Sequence, residues 1–223
     1  MNNNIKDKKS IMVIDDHPII HDGLKTLLAS EPDIEITISA MSSHEAHEKI
    51  AHQQPDIVIA DLSLGDSDGT HMIQNLISTY PALKILVYTM SEEKLYAERT
   101  AMAGASGYVM KTRPPTELRK AIRTVLRGEL FFSSDLQRKV RQANIGLSEK
   151  PTSIIDLLSN REMDVFNLLG QGMDASAIAS KLNISRNTVD THRINIKNKL
   201  SLPSGKALER LAYEVIVLGK IEE

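Results

Sequence analysis

The sequence predicts a doubly wound, five-stranded parallel α/β sheet followed by a small all-α helix-turn-helix domain. Three observations lead there. Five short apolar runs alternate with segments of helical period over residues 11–128. The run Ile57-Val58-Ile59-Ala60 is apolar on both faces and stops at a carboxylate, Asp61, as a strand does inside a sheet covered by helices. Beyond a polar stretch, residues 156–200 change to three short helical patterns joined by tight turns.

Each element has its own signal. Residues 11–14 form the first strand and lead into Asp15-Asp16. Pro18 suits the first turn of the next helix, along which Ile20, Leu24, Leu27 and Leu28 recur. Residues 34–38 make the second strand, and Ser43 is placed to cap a helix over 44–53. The third strand ends at Asp61 and is followed by the turn-prone Gly65-Asp66-Ser67-Asp68-Gly69. A helix over 70–80 carries Met72, Ile73, Leu76 and Ile77 and stops before Pro81. Ile85-Leu86-Val87-Tyr88 leads to Thr89, and a helix over 92–103 ends at Gly104, a left-handed terminator. Gly107-Tyr108-Val109-Met110 leads to Lys111. Pro114-Pro115 opens the last helix of the set, with Leu118, Ile122 and Leu126 on one face and Gly128 at its end.

At 223 residues the chain accommodates two domains. Three Phe, five Tyr and no Trp make the cores aliphatic. A net charge of -2 excludes a wholesale polyanion binder, so contact with nucleic acid must come from a local patch. The absence of Cys excludes disulfides, thiol catalysis and Cys-based zinc sites. Met1-Asn2-Asn3-Asn4 lacks the apolar core of a signal peptide, and no apolar run approaches the ~18 residues of a membrane span. The expectation is a soluble cytoplasmic protein with no membrane partner. His17/His21 and His44/His47 stand at helical spacing, but no motif joins them to carboxylates, and they read as surface residues rather than zinc ligands.

The strand ends carry the chemistry. In an open parallel sheet, ligands gather beyond the carboxyl ends of the strands. Asp15 and Asp16 follow strand one, Asp61 strand three, Thr89 strand four and Lys111 strand five. Three carboxylates at one edge call for a hard cation, and Mg²⁺ takes oxygen ligands while keeping positions for phosphate oxygens. A hydroxyl and an ammonium beside them suit an added phosphoryl group. The set supports attack by the Asp61 carboxylate on phosphorus to give an acyl phosphate.

At these residues the chain resembles the receiver domain of two-component response regulators, a flavodoxin-like fold, over residues 10–130. The resemblance implies Asp61 as phosphoacceptor, with a histidine kinase or small phosphodonor supplying the group. It implies Mg²⁺ held by Asp16, Asp61 and the Ser63 carbonyl, and by Asp15 through water. Thr89 would move towards the phosphoryl group and Tyr108 would swing inward, altering the surface around strand five. The chain departs from the family pattern at Gly65 and Thr112, where Pro is common, and at Met90, where Ala is common; Ser63 and Ser91 stand where the family tunes phosphoryl lifetime.

The remainder reads as an output module. Phe131-Phe132 closes the first domain, and Leu136, Val140 and Ala143 give one further short helix before the polar tether 144–153. Ser159 and Glu162 form a capping box at the head of a helix carrying Val165, Phe166, Leu168 and Leu169. A second helix over 174–182 offers Ile178, Ala179 and Leu182, Asn183-Ile184 turns the chain, and Ser185 caps a third helix to about Leu200. On that third helix Val189, Ile196 and Leu200 share one face, while Asn187, Asp190, Thr191, Ile194 and Asn198 lie opposite, flanked by Arg186 and Lys197. Residues 185–199 hold four basic residues against one acid, although residues 152–223 as a whole are neutral. Flanking cations on phosphates and Asn, Thr and an apolar side chain on base edges make a recognition helix for duplex DNA.

Leu158-Ser159-Asn160-Arg161-Glu162, Gly172, Ile178-Ala179, Leu182, Ile184-Ser185, Thr188-Val189-Asp190-Thr191-His192, Asn195-Ile196 and Lys199-Leu200 resemble the LuxR-type DNA-binding domain. With the receiver, this is similar to the NarL/FixJ class. The resemblance implies DNA contacts by Arg186, Asn187, Thr188, Asp190, Thr191, Arg193, Ile194 and Lys197. Many relatives carry Lys where Asp190 stands. A fourth helix over 206–218 presents Leu208, Leu211 and Val215, expected first as core and then as the contact of a homodimer formed on phosphorylation. The expected boundaries are a disordered tail over 1–9, the receiver over 10–130, a linker over 131–155 and the DNA-binding domain over 156–223. An alternative is a DNA binder that uses its receiver only as a dimerisation platform, independently of phosphorylation. An enzymatic reading, a Mg²⁺-dependent phosphatase, needs Asp-x-Asp after strand one, and the chain has the adjacent pair Asp15-Asp16 instead.

Overall fold

The computed structural model describes residues 8–64, 68–143 and 157–220. Residues 1–7 of the expected tail, loop residues 65–67 and the whole expected tether over 144–153 lie outside the described residues. The chain divides into two compact units, Met1–Ser148 and Glu149–Glu223.

In the first unit, β1 (Lys9–Ile14), β2 (Ile34–Ala40), β3 (Ile57–Ala60), β4 (Ile85–Thr89) and β5 (Gly107–Met110) alternate with α1 (Pro18–Leu28), α2 (Ser43–His52), α3 (Gly69–Thr79), α4 (Glu93–Met102) and α5 (Pro115–Leu126), and α6 (Ser134–Ala143) follows. All pairings are parallel, in the order β2-β1-β3-β4-β5. The order reverses between β1 and β3, which opens a crevice at their carboxyl ends. Strand residues alternate between two layers. Ile11, Val13, Ile57, Ile59, Leu86 and Val109 are buried with Leu24 and Leu28 of α1 and with Leu118, Ile122 and Val125 of α5. Met12, Ile14, Val58 and Ala60 point the other way, and α2, α3 and α4 bury Ile50, Met72, Ile73, Leu76 and Tyr96.

Several boundaries differ from the sequence expectation, each for a local reason. Sheet pairing begins at Lys9, inside the expected tail, because its N–H donates to the Asp33 carbonyl and its ammonium meets Asp56 at 2.8 Å. Ser42 rather than Ser43 caps α2: its hydroxyl accepts from Glu45 N, while the Glu45 carboxylate accepts from Met41 N. Phe131 pairs with the edge of β5, donating to the Ser106 carbonyl and accepting from Tyr108 N.

The second unit consists of α7 (Asn160–Gly170), α8 (Ala175–Leu182), α9 (Arg186–Lys199) and α10 (Gly205–Ile216). Asn183 ends α8 in the left-handed region, with φ 52°, and Ser185 caps α9, so three residues turn the chain between the two helices. Met163, Phe166, Ile178, Val189, Ile196, Leu208 and Ala212 form its core. Gly170 lets α7 and α10 touch: a Cβ there would stand 2.5 Å from the Ala212 carbonyl oxygen.

Candidate functional site

Two parallel strands, β1 and β3, end side by side, with Asp61 N–H donating to the Ile14 carbonyl at 2.9 Å. That bond sets Asp15 and Asp61 in the same crevice, where they are 2% and 3% exposed. Lys111, just beyond β5, reaches between them, its ammonium 2.6 Å from Asp15 and 2.7 Å from Asp61. Burial alone would push that ammonium down, but the Asp61 and Asp15 carboxylates together outweigh it and hold it above the ordinary lysine value. Its contribution to stability is therefore complete below the unfolded lysine pKa and lost only as pH rises through the higher folded value, so it is constant near neutrality.

Asp15, Asp16 and Asp61, with His17 beside them, offer ligand atoms that all lie within 4.8 Å of one another. Three carboxylates against one ammonium leave the cluster with an excess of two negative charges. Asp16 Oδ1 is buried and makes no aligned hydrogen bond, although His17 Nδ1 stands 2.8 Å away. An oxygen-rich, doubly negative cluster with an unsatisfied carboxylate oxygen fits a hard divalent cation. Ser63 adjoins it, its N–H donating to Asp61 Oδ1.

Thr89 is fully buried, and its hydroxyl accepts from Ser91 N. Tyr108 already lies inward, buried, with its hydroxyl donating to the Ser91 carbonyl at 3.0 Å. The β4–α4 loop therefore touches both groups. Met90 of that loop points outward, 62% exposed.

One supporting residue was read wrongly from sequence. His21 is buried, with Nε2 2.8 Å from the Asp15 carbonyl oxygen, so it braces the acidic loop from α1. Its register was visible, since His21, Leu24 and Leu28 fall on the one buried stripe of α1. His17 is at the surface as expected, its side chain 63% exposed, although its Nδ1 stands 2.8 Å from Asp16 and 3.3 Å from Asp15.

In the second unit α9 stands on a fixed base. Glu162 of α7 is 4% exposed, and its carboxylate accepts from Ser159 N at 2.8 Å and from the Lys199 ammonium of α9 at 2.6 Å. Burial pushes this carboxyl up, but Lys199 and the Ser159 N–H outweigh it and hold it below the ordinary glutamate value. The stability so gained is present above the unfolded glutamate pKa and lost as pH falls through the depressed folded value. Glu162→Gln is expected to cost about 1.5–3 kcal/mol at neutral pH and to flatten the acid limb of stability. Circular-dichroism melts of both proteins across acidic pH check this, and equally steep acid limbs would contradict it.

On α9, Val189 and Ile196 are buried, while Arg186, Asn187, Thr188, Thr191 and Ile194 are exposed, Ile194 by 55%. Asp190 and Lys197 are half-buried on the same helix. His192 is half-buried, and burial holds its imidazole below the ordinary value. Arg193 is drawn to α10, where its guanidinium donates to Glu209 at 2.6 Å. Leu208, Leu211 and Val215 are spent on the unit's own core, whereas Tyr213, Val217 and Leu218 are exposed.

Comparisons with known proteins match both units of the chain to families. Residues 11–123 match the family described as response regulator receiver domain, and residues 156–212 match the bacterial regulatory proteins of the luxR family. The oxygen regulatory protein NreC of Staphylococcus carnosus is 32% identical over 210 residues, covering 92% of this chain and 96% of that protein. A two-component response regulator of the LuxR family from Aurantimonas sp. is 32% identical with a TM-score of 0.55, over 62% of this chain and 99% of its own. The response regulator RcsB in a complex with DNA is 25% identical with a TM-score of 0.54, over 94% of this chain and 99% of its own.

Proposed function

Because the chain belongs to the response regulators that join a receiver domain to a LuxR-type DNA-binding domain, we propose that Asp61 is its phosphoacceptor and α9 its DNA-reading helix. The chain is a transcription regulator of the kind in which phosphorylation governs DNA binding, and not an enzyme. The observation that carries the assignment is the placement of Asp61 at the switch point of the sheet, within reach of Lys111 and beside Asp15.

A histidine kinase supplies the phosphoryl group. A carboxylate oxygen of Asp61 forms a bond to phosphorus as the P–N bond of the kinase phosphohistidine breaks, and the imidazole leaves with the electron pair. Receiver domains bind Mg²⁺ at such an acidic pocket; here Asp15, Asp16, Asp61 and the Ser63 carbonyl would hold it. Bound there, the ion offsets charge on the phosphoryl oxygens. Lys111 then exchanges a carboxylate for a phosphoryl oxygen, and the Thr89 hydroxyl leaves Ser91 to donate to the same group. Since Ser91 also accepts from Tyr108, that exchange shifts the β4–α4 loop and the surface around β5.

On DNA, Asn187, Thr188, Asp190, Thr191 and Ile194 face the base edges, and Arg186 and Lys197 hold phosphates. The phosphorylated protein pairs as a homodimer on a two-fold site, which doubles the phosphate contacts. It works in the cytoplasm; no described helix is long and apolar enough to cross a membrane. Selecting bound duplexes from a random pool, with and without a phosphodonor and Mg²⁺, tests the reading. The expected result is one sequence family whose affinity rises at least about tenfold with phosphodonor, a coupling of ~1.4 kcal/mol. Equal affinity in both conditions would instead favour DNA binding independent of phosphorylation.

A further inference from the structure

Recognition by α9 should draw on four cations, Arg186, Arg193, Lys197 and Lys199. Two of them are already paired with acids of their own unit. Lys199 meets Glu162 of α7, and Arg193 meets Glu209 of α10, each at 2.6 Å. Arg193 has a second acid on its own helix, Asp190, 3.9 Å from its other terminal nitrogen. The N-terminus of α10 comes up against the same group, since a Cβ on Gly205 would stand 3.8 Å from the guanidinium. The Arg193 side chain is 25% exposed, against 50% for Glu209.

We propose that Glu209 is a determinant of DNA affinity: it holds the Arg193 guanidinium on α10 and withholds one cation from the phosphate backbone. The inference rests on α9 being the DNA-reading helix. A carboxylate oxygen accepts from the guanidinium as a phosphate oxygen would, so Glu209 competes for the terminal N–H group that DNA would use. To reach a phosphate, Arg193 must abandon a short ion pair and leave a carboxylate facing a polyanion. Asp190 strengthens the hold from the other side. Phosphate contacts strengthen binding without reading sequence. Glu209 therefore sets how tightly any duplex is held, while Asn187, Thr191 and Ile194 set which duplex is preferred.

The full-length chain, its fold checked by circular dichroism, is titrated with random-sequence duplex DNA over a range of salt. Glu209→Gln is expected to bind about threefold more tightly at low salt, and its log-log salt dependence should steepen by about 0.9, the signature of one added phosphate contact. Arg193→Gln should change little in the parent but erase the gain when combined with Glu209→Gln. The inference is overturned if the gain survives in the double variant, which would reduce it to bulk charge. It is equally overturned if Glu209→Gln gives no gain, or if Arg193→Gln alone weakens binding severalfold. Asn187→Ala with Thr191→Ala, measured on a selected duplex, separates the two levels. Loss of binding there without a Glu209 effect sinks only the present inference, whereas undiminished binding removes α9 as the reader and both fall.

Discussion

Asp61→Asn is expected to bring uptake of hydroxylamine-labile phosphate to background, in reactions with a kinase and with acetyl phosphate alike. The amide is no nucleophile towards phosphorus, and no neighbour can replace it: Asp15 is pinned by Lys111 and by the N–H of His17, and Asp16 stands further out. The fold should survive. Lys111 keeps Asp15, the Ser63 N–H can still find the amide oxygen, and the crowded carboxylates lose one charge. A stability change of no more than about 2 kcal/mol is expected. Full labelling of the variant would remove Asp61 from the role. The rise in DNA affinity with phosphodonor should vanish with the label, which ties the acceptor to the output in one experiment.

Lys111→Met should give the largest loss of stability at a single position of the first unit. The side chain is 8% exposed, and its ammonium bridges two carboxylates that are almost wholly buried. Removing one partner of a buried ion pair costs about 3–5 kcal/mol, because the remaining charge stays unpaired. Here two acids are left facing each other. Met keeps the volume and the aliphatic stem, so the loss reads charge rather than packing. A divalent cation should recover much of it. Melts in chelator and in Mg²⁺ are expected to differ more for the variant than for the parent. A variant as stable as the parent in chelator would show that the three groups do not share a site as the ion pairs indicate, and no recovery with Mg²⁺ would argue against their holding an ion together.

How far the sequence reached differs between the two units. In the first, order, type and direction of the five strands were legible because both-sided apolar runs have few other uses, and a residue at a strand end has its place set by topology. Asp15, Asp61 and Lys111 meet for that reason. What escaped was contact between elements far apart in the chain. Arg123 of α5 clasps Asp33 and Glu31 across the α1–β2 loop, and Lys84 caps the last turn of α5 at the Leu126 carbonyl. Surface-type residues at such separations carry no periodic mark. The register of α2 slipped by one residue because Ser42 and Ser43 are chemically alike, and only the reach to Glu45 N chooses between them.

The second unit shows the same division on α9. Helical period put Val189 and Ile196 inside and Ile194 outside, as observed. It could not say that Arg193 would turn to Glu209; Leu208, Leu211 and Val215 are consumed by the core, the first of their two expected uses, and Tyr213 is the exposed large apolar side chain of that helix. The sequence by itself determined which elements form and which side chains end up on which face and at which sheet edge, because those follow from local periodicity and from the fixed direction of parallel strands. Only the tertiary structure decided which charges are spent inside the protein and which are left to meet a ligand. Ion pairing depends on a few ångströms between side chains from distant elements, a distance that no local pattern encodes.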